Sequence, residues 1–529
     1  MNGQRTPCAP WVKSLYLGYG VVACTLFVAC IPLSVLNPEI GAFRNWQIGL
    51  NAAMVLLLAL GRGWAAPSFS IPSGIRTALW ATSGLLFLSV QLTRFFSFGP
   101  NGYDFSIFDW MLHSTAHGNF GFSPIYGVNH FGVHATYVLL PLVPLHRLLE
   151  TPLLLVTLNA LALWAGVLPL WRLAKDHCQN EGTVLLISIA YLTNPWVGKL
   201  VDGGFRPENL YPFLGLAFAL GWTRGKAILW APALIGFLAI KEDAALYIAA
   251  LAVASLMFQP ERRRVAAICL AGSLSLWVIN LECLQPHFLR GSAQAEPRYF
   301  QFWDQYGSTP GAVALQMLKA PWRVVADVAT SGWYKLFLPA LLLPLASRLP
   351  LAAMLPAVVL LGTASYPAMR QYRAYYATPM IPFLFWSFGD AYRRLQSAPR
   401  LRAVAPAWVA AAALVFPLFG DGYLRLKWPD PRALRALDAA IASLSDYPGT
   451  VCAQGVLFPH LPYRLKLEPL SPRCARQSNA VSLVNSTLDP FPYSAVRLRA
   501  AVAEAVKSGR AQVFEPGFAI LRDPNLILE

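Results

Sequence analysis

Apolar runs separated by short polar turns recur along the chain as far as about residue 420. A helix needs roughly 20 apolar residues to cross about 30 Å of hydrocarbon. On that measure the pattern predicts thirteen spans, over 14–36, 47–61, 77–93, 153–171, 183–198, 209–222, 228–240, 244–258, 265–283, 332–347, 351–365, 375–389 and 403–420. Segment 135–149 is also apolar, but it carries Pro141, Pro144, His146 and Arg147 and reads as a helix lying in the interface. Beyond 421 the pattern changes. Period-two alternation over 450–458 and 512–521 predicts strands, and apolar residues at helical spacing over 431–444 and 494–507 predict amphipathic helices.

These patterns imply a mainly α polytopic membrane protein with a small external C-terminal α/β domain. The chain divides into a two-helix hairpin and linker (1–76), a transmembrane body (77–420) and the external domain (421–529). Two connections, 94–152 and 284–331, are longer than connectivity requires, and long ordered loops usually carry function.

Composition excludes a soluble enzyme: 56% of the 529 residues are apolar and 13% charged, against about 25% charged in an ordinary soluble domain. The net charge of +16 does not signal nucleic acid, because the cations lie in the turns between apolar runs. Arg76, Arg172, Lys175, Arg224 and the Arg262 to Arg264 cluster all fall on the N-terminal side of the membrane. That places the N-terminus in the cytoplasm and, with an odd number of spans, the C-terminal domain outside. The first run is longer than the apolar core of a secretion signal and further spans follow, so it reads as an uncleaved anchor. Cys452 and Cys474 both fall in the external tail, where an oxidising compartment allows a disulfide. The other six cysteines show no metal-binding spacing.

Ionisable residues beside hydrocarbon are costly and ask for a reason. Asp104 and Asp109 sit among bulky apolar residues just after a span, as candidates for a general base or for cation ligation. Lys241-Glu242-Asp243 interrupts two apolar runs with three consecutive charges, suited to neutralising a phosphate or holding a cation. Glu208 follows Arg206 at the start of a span, and Arg370, Tyr372 and Arg373 precede another. Under the predicted topology all these groups face one compartment, where the arginines suit a phosphate. His113 with His117 and His130 with His134 have the i, i+4 spacing of zinc ligands, but neither pair is followed by a third ligand in sequence, and His130 reads as a hydrogen-bonding site residue. A Walker phosphate loop is absent from the sequence, which argues against ATP-driven transport.

In these segments the chain resembles the domain of unknown function 2079 family of predicted bacterial membrane proteins, itself similar to the C-type (GT-C) integral membrane glycosyltransferases. The resemblance rests on Tyr103 to Asp109, Asn129-His130-Phe131, Phe205 to Glu208, Lys241-Glu242-Asp243, Gln371 to Tyr376, and Phe458-Pro459-His460-Leu461 with Arg464, and it covers roughly residues 77–529. Arg206 stands where the family pattern has His, and Gly132-Val133 where it has Ser-Pro.

The resemblance implies a GT-C-like fold in a bacterial plasma (inner) membrane. It also implies an inverting transfer of sugar from a polyprenyl-phosphate donor to an acceptor on the outer face. Asp104 would be the base and Asp109 would assist. His130, Glu208, Lys241, Glu242, Asp243, Arg370, Tyr372 and Arg373 would contact substrate. Asp104, Asp109, Glu208 and Asp243 are the candidate ligands for a divalent cation, Mg2+ or Mn2+. Membrane lipids would be partners. The alternative from another class is a non-catalytic transporter or lipid-binding envelope scaffold using the same charged groups.

Overall fold

The computed structural model describes residue 22 and residues 71–524, apart from 100–101, 179, 292–297, 403, 419–423 and 425. The expected N-terminal hairpin, with its spans at 14–36 and 47–61, lies outside the described residues.

The described chain is mainly helical, and the expected number of full-length spans is corrected downward. Among the described residues four helices are long and apolar enough to cross a membrane: Ser73–Phe96, Leu153–His177, Glu181–Asp202 and Pro260–Leu289. Tyr137–Leu149, Ala227–Leu238, Ala244–Phe258, Arg348–Gly362 and Ala405–Leu418 are apolar but shorter. At 1.5 Å per residue, the 12 residues of Ala227–Leu238 rise only about 18 Å.

The physical reason for the difference is that average hydropathy ignores chain breaks. In the expected span 332–347, Pro339 and Pro344 divide the apolar run, leaving a Tyr334–Phe337 turn of helix and a Leu343–Ala346 3-10 turn. Leu341 and Leu342 between them take left-handed backbone, at φ 49° and 55°. The expected span 375–389 is likewise a 3-10 segment, Ala374–Met380, running into the Ile381–Ser397 helix.

Large apolar side chains point outward along the helices. Ile228, Ile235, Met257, Ile268 and Leu355 are all exposed, which water would penalise and lipid tolerates. Glu181–Asp202 is enclosed by its neighbours, whereas Pro260–Leu289 turns most of its surface outward.

Three of the long helices run between the same two ends of the molecule. At one end Arg76, Arg172, Lys175 and Arg224 line a cavity of about 290 Å³ with Trp80, Trp171 and Asp176. At the other end of the same helices, Arg94 is ion-paired with Asp202, its Nη2 donating to one carboxylate oxygen at 3.1 Å and its Nε lying 2.6 Å from the other. The cations assigned by sequence to one membrane face therefore do share one end.

The tail carries a five-stranded sheet in the spatial order Leu467–Pro469, Thr450–Ala453, Ala480–Asn485, Phe518–Leu521, Ala511–Phe514. A two-residue hairpin of β1 (Phe122–Ser123) and β2 (Val128–Asn129) precedes it in the chain. β3 (Thr450–Ala453) lies parallel to β4 (Leu467–Pro469) and to β5 (Ala480–Asn485), while β7 (Phe518–Leu521) is antiparallel to β5 and to β6 (Ala511–Phe514). The helices Pro431–Ser443 and Ala495–Lys507 match expectation.

The two strand predictions need correction. The 450–458 pattern ends as a strand at Ala453 and continues as the 3-10 segment Gly455–His460. The 512–521 pattern is a hairpin, because Glu515-Pro516-Gly517 turns the chain and Gly517 takes φ 75°. Cys452 and Cys474 form a disulfide, with Cα atoms 5.9 Å apart, tying β3 to the short Pro472–Ala475 helix.

The tail is fastened to the membrane body. Gly455–His460 packs on the Gly102–Ala116 helix so closely that a Cβ on Gly102 would lie 2.8 Å from the Val456 Cα. His460 inserts between Phe95 and Phe98, with ring centroids 4.5 and 4.7 Å away.

Candidate functional site

The Gly102–Ala116 helix begins four residues after the left-handed Phe98 and carries Asp104 in its first turn, where a carboxylate meets the free N–H groups of a helix start. Its carboxylate pairs with the Arg206 guanidinium, 39% of the Asp104 side chain remaining exposed against 10% for Arg206. The pair is thus open from the aspartate side. Arg206 also lies over the Tyr375 ring, 4.0 Å from its centroid, an arrangement that fixes the planar cation at a second point.

Two residues along, Glu208 accepts a 3.0 Å hydrogen bond from the Lys241 ammonium. Pro207 starts the 3-10 turn that presents Glu208, and the break between Ala227–Leu238 and Ala244–Phe258 presents Lys241. Burial would depress the lysine, but the carboxylates of Glu208, Asp243 and Glu242 overcome it and hold it well above its ordinary range. Burial raises Glu208, and the Lys241 charge more than compensates, so the carboxyl is held below its usual range. Tyr126 is raised by burial and then by Asp104 and Tyr103, with Lys241 opposing, so its phenol feels the charges of both ion pairs.

Five separate chain segments therefore converge: Tyr103-Asp104, Tyr126, Arg206 to Glu208, Lys241 and Tyr375. A narrow cleft lined by Arg94, Gly102, Asp202, Gly204 and His460 opens beside them, between the Ser73–Phe96 helix and the tail. These groups lie at the opposite end of the long helices from the basic cavity. The arrangement can hold an anion between two cations, with an accessible carboxylate alongside.

The remaining predicted site residues are distributed as follows. Glu242 bonds the His134 Nδ1 and the Ala135 N–H, both at 3.0 Å. Burial would raise it, and the His134 contact prevails, lowering it to about 2. Asp243 accepts hydrogen bonds from the Tyr211 and Tyr247 hydroxyls, at 3.2 and 2.6 Å. His130 is fully buried, with Nε2 2.8 Å from the Thr136 hydroxyl and its ring parallel to Tyr126. Burial lowers it to about 3, so it is neutral there. Its buried Nδ1 has no hydrogen-bond partner among the described residues. These residues brace the Lys241 turn and the floor beneath Tyr126.

Asp109 lies apart from Asp104. It is buried, accepts from the Tyr463 hydroxyl at 2.9 Å and sits 3.4 Å from the His146 Nε2. Burial raises its carboxyl, against the lowering effect of His146 and Tyr463. Arg370 donates to Thr330 at 2.6 Å and lies 3.7 Å from Asp327, in a cluster of its own. Tyr372 is buried and donates to the Val358 carbonyl at 3.0 Å; Arg373 is exposed.

The candidate cation ligands do not gather. Glu208 is engaged by Lys241 and Asp243 by two tyrosines. Among the described residues the group of three or more His, Cys, Asp or Glu side chains close enough to share an ion is instead His113, His117 and Glu150.

The sequence pattern points to Arg206 only as a neighbour of Glu208, with no role of its own, and does not single out Tyr375 or Tyr126. The signal for Arg206 was present as a departure from the family pattern, and the structure puts that residue on Asp104.

A family model described as "Predicted membrane protein (DUF2079)" matches residues 94–473. It spans every segment of the site. No curated protein matches the chain.

Proposed function

The chain belongs to this family of predicted membrane proteins, and from that premise we propose that it is a membrane glycosyltransferase of the GT-C kind. It moves a sugar from a polyprenyl-phosphate donor to an acceptor hydroxyl at the outer face of a bacterial plasma membrane. The observation that carries the proposal is the convergence of an accessible carboxylate, Asp104, with two buried cations, Arg206 and Lys241, at one end of membrane-length helices.

Asp104 takes the proton of the acceptor hydroxyl as its oxygen attacks the anomeric carbon from the side opposite the phosphate. The bond from that carbon to the phosphate oxygen breaks, and its electron pair leaves with the polyprenyl phosphate. The configuration inverts. Arg206 and Lys241 stabilise the phosphate charge; Arg206, which lies on Asp104, takes the part that the sequence assigned to Arg370. On donor binding the phosphate draws Arg206 away from Asp104 and frees the carboxylate as base. Tyr126 and Tyr375 supply flat, partly apolar walls of the type that pack against sugar rings.

The test is to incubate the purified chain in lipid nanodiscs with a panel of polyprenyl-phosphate sugars and follow sugar release or transfer. Turnover of one member supports the proposal. Saturable binding of a donor with no turnover of any member overturns it in favour of a lipid-binding scaffold.

A further inference from the structure

We propose that His113, His117 and Glu150 form a binding site for one divalent transition-metal ion of the zinc class. The donor atoms of the three side chains all lie within 4.8 Å of one another. His117 Nε2 is 3.0 Å from a Glu150 carboxylate oxygen, and the two imidazole centroids are 4.2 Å apart. Two imidazoles at i, i+4 with a carboxylate from another element form a donor set that suits zinc, and three protein ligands leave a coordination position for water.

The geometry around His117 points to a cation between the rings and the acid. Its Nδ1 is 2.9 Å from the His113 carbonyl oxygen. That oxygen can only accept, so Nδ1 carries the hydrogen. Nε2 then faces a carboxylate oxygen at 3.0 Å, an arrangement that needs a cation shared by the two groups, either a proton on Nε2 or a metal ion held by both. A backbone carbonyl on the far nitrogen is also the contact that orients metal-bound histidines.

His113 is set by a different neighbour. Its ring stacks on Tyr463 at 4.1 Å and 7°, and its buried Nδ1 has no hydrogen-bond partner among the described residues. Glu150 ends the Val143–Leu149 helix in left-handed backbone, at φ 44°, a conformation that costs a non-glycine residue on the order of 1 kcal/mol or more. The ion would join the far end of the helix that carries Asp104 to the end of the next helix, beside the His113 ring that stacks on Tyr463 of the tail. This proposal is independent of the glycosyl-transfer reading: the ion lies with Asp109 and Tyr463, away from Arg206 and Lys241.

The experiment uses the full chain in detergent, purified without a polyhistidine tag, stripped with chelator and titrated with Co2+ as an optical probe, then with Zn2+ in competition. One equivalent of Co2+ should give the absorption of a low-coordinate His and carboxylate site, and Zn2+ should bleach it. His117→Ala should abolish the signal, and the near-isosteric Glu150→Gln should weaken Co2+ binding at least about tenfold. Failure of the wild-type chain to take up a stoichiometric ion overturns the proposal, as does uptake unchanged in both variants. The first of these results assigns His117 and Glu150 to a plain proton-bearing ion pair.

Discussion

Breaking the Lys241–Glu208 pair should cost far more than breaking a surface ion pair, and the two ends should differ. The charges are 3.0 Å apart, with 20% and 11% of their side-chain surfaces exposed. At an effective dielectric near 20, charges at that separation attract by about 5 kcal/mol. Removing one partner strands the other in a site with little water, at about 3–5 kcal/mol. Lys241→Met should be the worse change, because it leaves Glu208 without its cation and removes the positive charge that also faces Asp243 and Glu242. Glu208→Gln leaves Lys241 two other carboxylates.

The double variant should recover much of the loss, since well-packed neutral groups often replace a buried pair at little cost. The assay is unfolding in mixed detergent micelles of the wild type, both single variants and the double, closed as a thermodynamic cycle. A coupling of at least about 2 kcal/mol is expected. Single losses below about 1 kcal/mol, or losses that add within about 0.5 kcal/mol in the double, would refute the view that these charges form one buried unit.

Three further outcomes follow from the same geometry. Arg206→Met should raise KM for a polyprenyl-phosphate donor at least about tenfold, the loss expected when a charge-assisted hydrogen bond to phosphate is removed, with Arg206→Lys intermediate; an unchanged KM in both assigns Arg206 to folding alone. Cys474→Ser should destabilise the tail by about 3 kcal/mol, from the 22-residue separation of the disulfide, seen as a lower melting temperature that reductant no longer changes; a reductant response equal to that of the wild type would contradict the linkage. Burial lowers the His460 imidazole from 6.5 to about 4, so the folded chain resists protonation there while the unfolded chain accepts it. The stabilising effect of the neutral ring is present above pH 6.5 and is lost as the pH falls towards 4; His460→Phe should flatten that limb of a stability-against-pH curve, and a curve of unchanged shape would contradict the assignment.

The sequence discloses the ends of the site better than its centre. Asp104, Glu208 and Lys241 stand out because charge among apolar residues is expensive, and the same cost makes them pair in the folded chain. Arg206 looks like a loop cation in one dimension; only folding shows that it bridges Asp104 and Tyr375. Glu150 escaped notice as the missing partner of His113 and His117 because it belongs to another helix, and metal-ligand spacing within one helix cannot disclose it.

Helix number was overcounted where Pro339 and Pro344 divide a leucine-rich run, since hydropathy sums composition and is blind to a lost backbone donor. The tail helices were legible from their amphipathic periodicity, while the Glu515-Pro516-Gly517 turn was hidden inside what looked like continuous alternation. The grouping of Arg76, Arg172, Lys175 and Arg224 was legible because charge bias between spans fixes which ends share a face.

The most direct trial of the proposed chemistry compares wild type with Asp104→Asn in nanodiscs, at equal protein level, using a labelled polyprenyl-phosphate sugar that the wild type turns over. The amide keeps the shape of the carboxylate but cannot accept the acceptor's proton. Donor binding should persist while sugar transfer falls by at least about a hundredfold. Transfer by Asp104→Asn at the wild-type rate would contradict the assignment of Asp104 as the base and, with it, the reading of this site as a glycosyl-transfer centre.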